Sequence, residues 1–513
     1  MNLRTLCMWS IATAAVVGAG SAPLGAAEAP SVDRAAAIEA AIGTYVDESW
    51  SGYLQGIGER MVAASQRPDL KLRFSILDDP SINVFPVPPG HIYLTRGLLA
   101  YIDSEAELAA VLGHAIAHLT ERHKVYPLSH EDLIPFGLGV ADRASPQVRE
   151  FTTLLPGGLE TIVAAYKAGD DQHADELALR SLERAGYDLE ALPALFEVLE
   201  DLAKRPEPSR LPNWWTTHPG PDNRPKRAAK EVSTFPESRR AGDSGRQRFL
   251  PHLDGLIVDW NLDRPYLDKI HYSNPAAGFR LDLPPSWAAT HFGEELIAVS
   301  PEGDAVIHVT PVEGSSNVAA LRAFFKEPQF VARRSWRKSV SNISAVWATF
   351  DVHREERDLE GRIGFVVIQD RVYSLLGYGI ERLWMRHLSA VQNALEGIRK
   401  MPPVDAEKPL ESARIELLEM EEEMSIGQIE EAYPLALPKR TVRIMNRLGD
   451  GRRTAIGELY KHVVGGLHAP AEEEEEAADD AEAAADETEA DAAEVGEGAT
   501  PDDGSPVNDP GSK

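Results

Sequence analysis

The stretch ELAAVLGHAIAHLTERH places two histidines, His114 and His118, four residues apart. On a helix, positions i and i+4 share a face, with Cβ atoms roughly 5–6 Å apart. Two imidazoles so placed can converge on one zinc ion, each bond about 2.0–2.1 Å long. The spacing alone is also what a polar helix face would show. Its surroundings add weight: Leu108, Val111, Leu112 and Ile116 would bury the other side and fix the helix against a core. A catalytic zinc needs a third protein ligand and an open position. The segment DDQHADELALRSLERAGYD offers Asp171 and Asp175, four apart at the start of a second expected helix. One could ligate while the other holds a ligand histidine from behind. Equally, both acids could only complement the positive end of that helix. A zinc peptidase would carry a glutamate after the first histidine, and here that position is Ala115.

The elements that must position these residues are legible from periodicity. Residues from about 32 to 64 read as helix, with an apolar stripe of Ile38, Ile42 and Tyr45. KLRFSILDD alternates and reads as a strand. SINVFPVPPGHIYLTRGLLAYI reads as a hairpin-like strand turning into a helix. Ser104 and Glu107 form a capping-box pattern at the start of the histidine helix. The acidic helix that follows closes at Gly186, and LEALPALFEVLEDLAKR forms another helix. From about Asp268 the pattern changes to strands: GFRLDLP, AVIHVTPV, AVWATFDV and IGFVVIQDRVYSLLGYG. Asp370-Arg371 marks a hairpin turn, and a helix with Leu388, Val391, Leu395 and Ile398 on one face follows. A small unit from about Ala413 reads strand, helix opened by Ser425 and Gln428, then helix.

The chain has 513 residues, 43% of them hydrophobic, enough for two or three cored units. Its net charge is -29, and 17 acids against one lysine fall between Glu472 and Lys513. That segment lacks the apolar residues needed to offset the entropy of ordering and is expected to be a disordered tail. A chain this acidic is not expected to bind nucleic acid. Arg4, the apolar run LCMWSIATAAVVGAG and small residues up to Ala27 read as an export signal cleaved after Ala27. The only cysteine, Cys7, falls within it. No later segment is apolar for long enough to span a bilayer, so the mature chain is expected in the periplasm or outside the cell.

SEAELAAVLGHAIAHLTERH, AYKAGDDQHADELALRSLERAGYD and TTHPGPDNR together resemble zinc metallopeptidase family forty-eight, the gluzincin family of the CAAX prenyl proteases, HtpX and BepA. INVFPVPPGHIYLTRGLL resembles the family's segment just upstream. The resemblance covers about residues 32 to 230. It implies that His114 and His118 are metal ligands, that Asp171 is the third where the family has glutamate, and that Asp175 is the acid behind them. His218 falls on a downstream histidine that approaches the metal in BepA-like members. His91, Ile92 and Tyr93 fall on an edge strand that would hold an extended peptide by backbone hydrogen bonds. Ala115 departs from the pattern at the catalytic glutamate, and KAGD replaces a Ser-Arg stretch. Pro86 and Pro89 each remove a backbone donor near that strand. Glu121, His173 and His218 are the alternatives as substitute base.

The expected fold class is α+β. A leader (1–27) precedes a mainly helical metallopeptidase-like domain (28–265) with a small sheet. An α+β domain (268–402) weakly resembling the Mog1/PsbP fold follows, then a LysM-like unit (413–465) and the acidic tail (466–513). The expected function is that of an exported zinc-metallopeptidase homologue that binds extended or misfolded envelope polypeptides with impaired proteolysis. The alternatives are an active metalloendopeptidase with another base, and a metal-free scaffold binding cell-wall glycan.

Overall fold

The computed structural model describes residues 34–127, 164–204, 211–220, 222–314, 316–352, 358–401, 411–433, 436–449 and 452–466. The expected leader with Cys7, the tail beyond 466 and most of the stretch 126–165 lie outside them.

The expected helix over 32–64 is two helices, α1 (Arg34–Ile42) and α2 (Glu48–Ala64). Gly43 at φ +91° leaves the helical region, and Tyr45 N–H donates to Ile76 O at 2.8 Å. Asp47 then caps α2 by accepting from the N–H of Ser49 and Trp50. Three strands follow as a small sheet: β1 (Arg73–Leu77), β2 (Val84–Val87) and β3 (His91–Thr95). Their order is β1-β3-β2, with β3 parallel to β1 and antiparallel to β2. The strand expected at the edge is therefore the central one, and β2 is an edge.

The chain continues as α3 (Arg96–Tyr101), α4 (Glu105–Thr120), β4 (Tyr126–Pro127), β5 (Ala164–Ala165), α5 (Ala168–Ala185), α6 (Ala191–Lys204), α7 (Trp214–Thr217) and α8 (Arg224–Thr234). Short helices α9 (Glu237–Arg240) and α10 (Arg246–Phe249) follow. Ser104 Oγ accepts from Glu107 N–H at 3.1 Å, but the Glu107 carboxylate reaches Asp103 N–H at 2.8 Å instead of closing the box. Gly186, at φ +78°, ends α5 as expected. α4 is buried from Glu105 to His118 and lies against α2, α5 and α6. A helix apolar on nearly every side belongs inside a core, and its two histidines therefore need polar partners there.

A seven-stranded sheet comprises β9 (Ala288–Phe292), β10 (Glu295–Val299), β11 (Ala305–Val312), β12 (Phe330–Arg337), β13 (Ala345–Val352), β14 (Leu359–Ile368) and β15 (Arg371–Ile380). A four-stranded sheet comprises β6 (Tyr266–Asp268), β7 (His271–Asn274), β8 (Phe279–Asp282) and β16 (Arg399–Lys400). Helices α11 (Asn317–Phe324) and α12 (Glu381–Glu396) pack on them. The β14–β15 turn sits on Gln369-Asp370, both at positive φ, one residue earlier than expected. Last come β17 (Arg414–Glu419), α13 (Ile426–Ala432), α14 (Lys439–Met445) and β18 (Leu459–Val464), with β17 antiparallel to β18. The Ser425–Gln428 capping box forms as expected. The closing strand β18 has no expected counterpart.

Candidate metal centre

His114 and His118 lie one turn apart on α4, and their Nε2 atoms are 2.9 Å apart. Asp171, in the first turn of α5, brings Oδ1 to 3.3 Å from His118 Nε2 and 3.8 Å from His114 Nε2. His218 follows α7 and stacks on Trp214, ring centroids 4.1 Å apart. One donor atom from each of His114, His118, Asp171 and His218 lies within 4.8 Å of the others. Tetrahedral bonds of 2.0–2.1 Å would set donors roughly 3.3 Å apart, so the spacing fits one ion. All four side chains are buried. Among the described residues, Asp171 Oδ1 and His218 Nε2 have no hydrogen-bond partner. Orphaned buried polar atoms call for an explanation, and a shared cation at their meeting point supplies it.

A carboxylate behind His114 sets which of its ring nitrogens keeps its lone pair. His114 Nδ1–H donates to Asp175 Oδ1 at 2.9 Å, which turns the bare Nε2 inward. His218 Nδ1 lies 2.8 Å from Thr217 Oγ1, and that hydroxyl accepts from Asn83 Nδ2–H at 2.9 Å. His118 Nδ1 meets His123 Nδ1 at 3.0 Å, and its ring stacks on Tyr166 at 3.6 Å. Burial holds all three histidines well below the ordinary imidazole range, so each is neutral at pH 7 and able to ligate. Burial pushes the Asp171 carboxyl up to about 7, with Arg224 pulling the other way. A divalent cation would add a far larger opposing charge. Three neutral imidazoles and one carboxylate are a donor set suited to zinc.

Arg224 is a residue that the motif reading left without a role, although TTHPGPDNR contains it. Its guanidinium makes two bonds to Asp175, at 2.7 and 2.9 Å, and a third to His218 O at 3.1 Å. It thereby ties the acid behind His114 to the loop that carries His218, and lies 4.3 Å over the Phe196 ring. Gly220 N–H holds the other Asp171 oxygen at 3.0 Å. Tyr166, Trp214 and Thr217 were missed too, since stacking and hydroxyl contacts leave no spacing signal.

Other expected residues stand elsewhere. Ala115 is fully buried in the apolar cluster with Leu112 and Ile116. His173 reaches His123 at 3.4 Å and is not one of the four donors. Glu121 is the cap residue at the end of α4. His91, Ile92 and Tyr93 are corrected: they are buried in β3, which is paired on both sides, so no peptide can add there.

The outward side of the edge strand β2 is also altered. Thr95 N–H donates to Asn83 O, so Asn83, Phe85 and Val87 face β3 while Val84 and Pro86 face away. Val84 N–H is taken by Asn83 Oδ1 at 2.8 Å, and proline has no N–H to offer. Ile82, the next outward position, is bonded to Asn213 and Trp214.

Two histidines one turn apart on a buried helix, an acid from a second helix, and another acid behind the first histidine define the zinc-metallopeptidase helix-motif class. Residues 48–232 match Peptidase family M48, and this part of the chain is an M48 domain. Zinc is the metal of that family. A β-barrel assembly-enhancing protease of Yersinia pestis is 31% identical over 181 residues, 34% of this chain and 37% of that protein. A putative one of Vibrio cholerae is 28% identical over 239 residues, 41% of this chain and 46% of that protein. The mitochondrial metalloendopeptidase OMA1 of Arabidopsis thaliana is 25% identical over 229 residues, 40% of this chain and 44% of that protein. The chain thus spans less than half of these relatives. A solved cyanobacterial PsbP structure covers 25% of this chain and 91% of its own at 12% identity and a TM-score of 0.21, too low to carry an argument.

Proposed function

We propose that the chain holds zinc in an M48 domain that no longer hydrolyses peptides, and that it acts on polypeptides of the cell envelope by binding them. The observation that carries this reading is Ala115 beside His114, both buried, where the general base should stand. Zinc polarises a scissile carbonyl and acidifies bound water, but a base must still move that proton to the leaving amine. A methyl group cannot, and general acid–base catalysis is typically worth 10²–10⁴-fold. The four donors add to this, because a zinc with four protein ligands has no open position for water. Nor does β2 offer an outward N–H at Val84 or Pro86, so an extended chain would have to dock elsewhere.

The names of the relatives, proteases that enhance β-barrel assembly, favour an envelope polypeptide as partner. The export leader expected over 1–27 favours the periplasm. Cleavage of unfolded casein by the wild type and by Ala115→Glu tests the proposal, with zinc content measured for both. The expected result is about one zinc per chain in each, cleavage by Ala115→Glu, and no wild-type cleavage above that of a His114→Ala background. Wild-type cleavage within tenfold of an active Ala115→Glu would overturn it.

A further inference from the structure

The first turn of the metal-bearing helix is held from the far end of the chain. Helix ends leave carbonyls without internal partners, and the α3–α4 junction has two helix ends close together. Lys461, on β18 and 1% exposed, donates to Ala100 O at 3.2 Å, Ile102 O at 2.7 Å and Met445 O at 3.1 Å. That uses all three ammonium donors. Arg447, just past α14, donates to Tyr101 O at 3.0 Å and to Glu107 Oε2 at 2.7 Å. Glu107 is the third residue of α4, and its carboxylate also holds Asp103 N–H.

Two further layers join the same parts. Ala413, Ile415, Met445 and Val463 lie in the apolar cluster that contains Leu108, Val111 and Leu112 of α4. β17 pairs with the segment after α10: Gly255 N–H donates to Ile415 O at 2.8 Å, and Ile415 N–H to Leu256 O at 2.9 Å. A module that merely hung on a linker would keep its core to itself.

We infer that residues 411–466 brace the metal helix, and that Lys461 and Arg447 are positioning residues. They hold the start of α4, and so the orientation in which His114 and His118 meet Asp171. α4 is a continuous helix of 16 residues, so a tilt at its first turn displaces both histidines.

The test uses the full chain as Lys461→Met, with Ile429→Val as control. Ile429 is buried in the small cluster that the C-terminal unit keeps for itself. Hydrogen exchange over 100–112 is measured in the metal-free protein, and zinc release to a chromophoric chelator in the loaded one. Lys461→Met is expected to speed both about tenfold while Ile429→Val leaves both within about twofold. Exchange in Lys461→Met within twofold of wild type, or raised equally by the control, overturns the inference. Should Lys461→Met fail to fold, Arg447→Gln takes its place, and the same rates support or overturn the inference. The zinc arm rests on the reading of a zinc-holding site. The exchange arm does not, so a chain found without zinc would refute that reading and leave this inference to be decided by exchange.

Discussion

At the scale of single residues, the centre is a set of neutral imidazoles and carboxylates whose roles are fixed by what stands behind them. Asp175 orients His114 and is itself gripped by Arg224. Second-layer partners of this kind typically matter 10–100-fold for metal affinity. Asp175→Asn and Arg224→Met should therefore each weaken zinc binding about 10–100-fold in chelator competition. An affinity unchanged in both would show that His114 needs no support. Ala115→Glu alone should recover only part of the missing activity, because His218 would still fill the proposed fourth position. The double variant Ala115→Glu/His218→Ala should cleave casein faster than the single one, and equal rates would remove His218 from the ligand set. The spacing of His114, His118, Asp171 and Asp175 is legible because both pairs repeat at one helical turn. Arg224 and Tyr166 are not, because what recruits them is three-dimensional: a carboxylate 49 residues away and a ring lying against another ring.

At the scale of elements, the reading of α4, α5 and α6 succeeds because long amphipathic or buried helices carry a strong period and clear caps. The small sheet shows where such reading stops. β2 and β3 are recognisable as a hairpin, yet which lies outside depends on β1 pairing in parallel from 18 residues upstream. That long-range pairing moves His91, Ile92 and Tyr93 from an edge to the centre. The single helix expected over 32–64 breaks for a local reason, Gly43 followed by the Asp47 cap. The junction that leads into α3 is tightly fitted. A Cβ at Gly97 would lie 1.9 Å from Pro80 O, a backbone atom that cannot swing aside. Gly97→Ala should destabilise the fold by about 1–3 kcal/mol, read as a lower Tm. A Tm within a degree of wild type would mean the loop of Pro80 yields freely.

At the scale of the whole molecule, the C-terminal unit and the M48 domain share a core, while the strands from β6 to β16 enclose two clusters of their own. Strand-helix-helix order is legible for the last unit, but its attachment is not, since Lys461 meets two of its three carbonyl partners about 360 residues upstream. Burial lowers the Lys461 ammonium to about 8 from the usual 10.5. The folded state then binds fewer protons than the unfolded chain between those values, so this group favours folding increasingly as pH rises from about 8 towards 10.5. The stability of wild type minus that of Lys461→Met should rise over that window, checked by urea unfolding at pH 7.5 and 9.5. A flat difference would place the ammonium in a wetter setting than its burial implies. Chelation should also lower Tm, because zinc at a hundredfold excess over Kd adds about 2.7 kcal/mol to the folded state.

The central claim is that zinc is held and not used for hydrolysis. Casein cleavage by the wild-type chain, after its metal content has been verified at one zinc per molecule, tests it most directly. The account predicts no cleavage above that of the His114→Ala variant. Zinc-dependent cleavage that His114→Ala abolishes would contradict it.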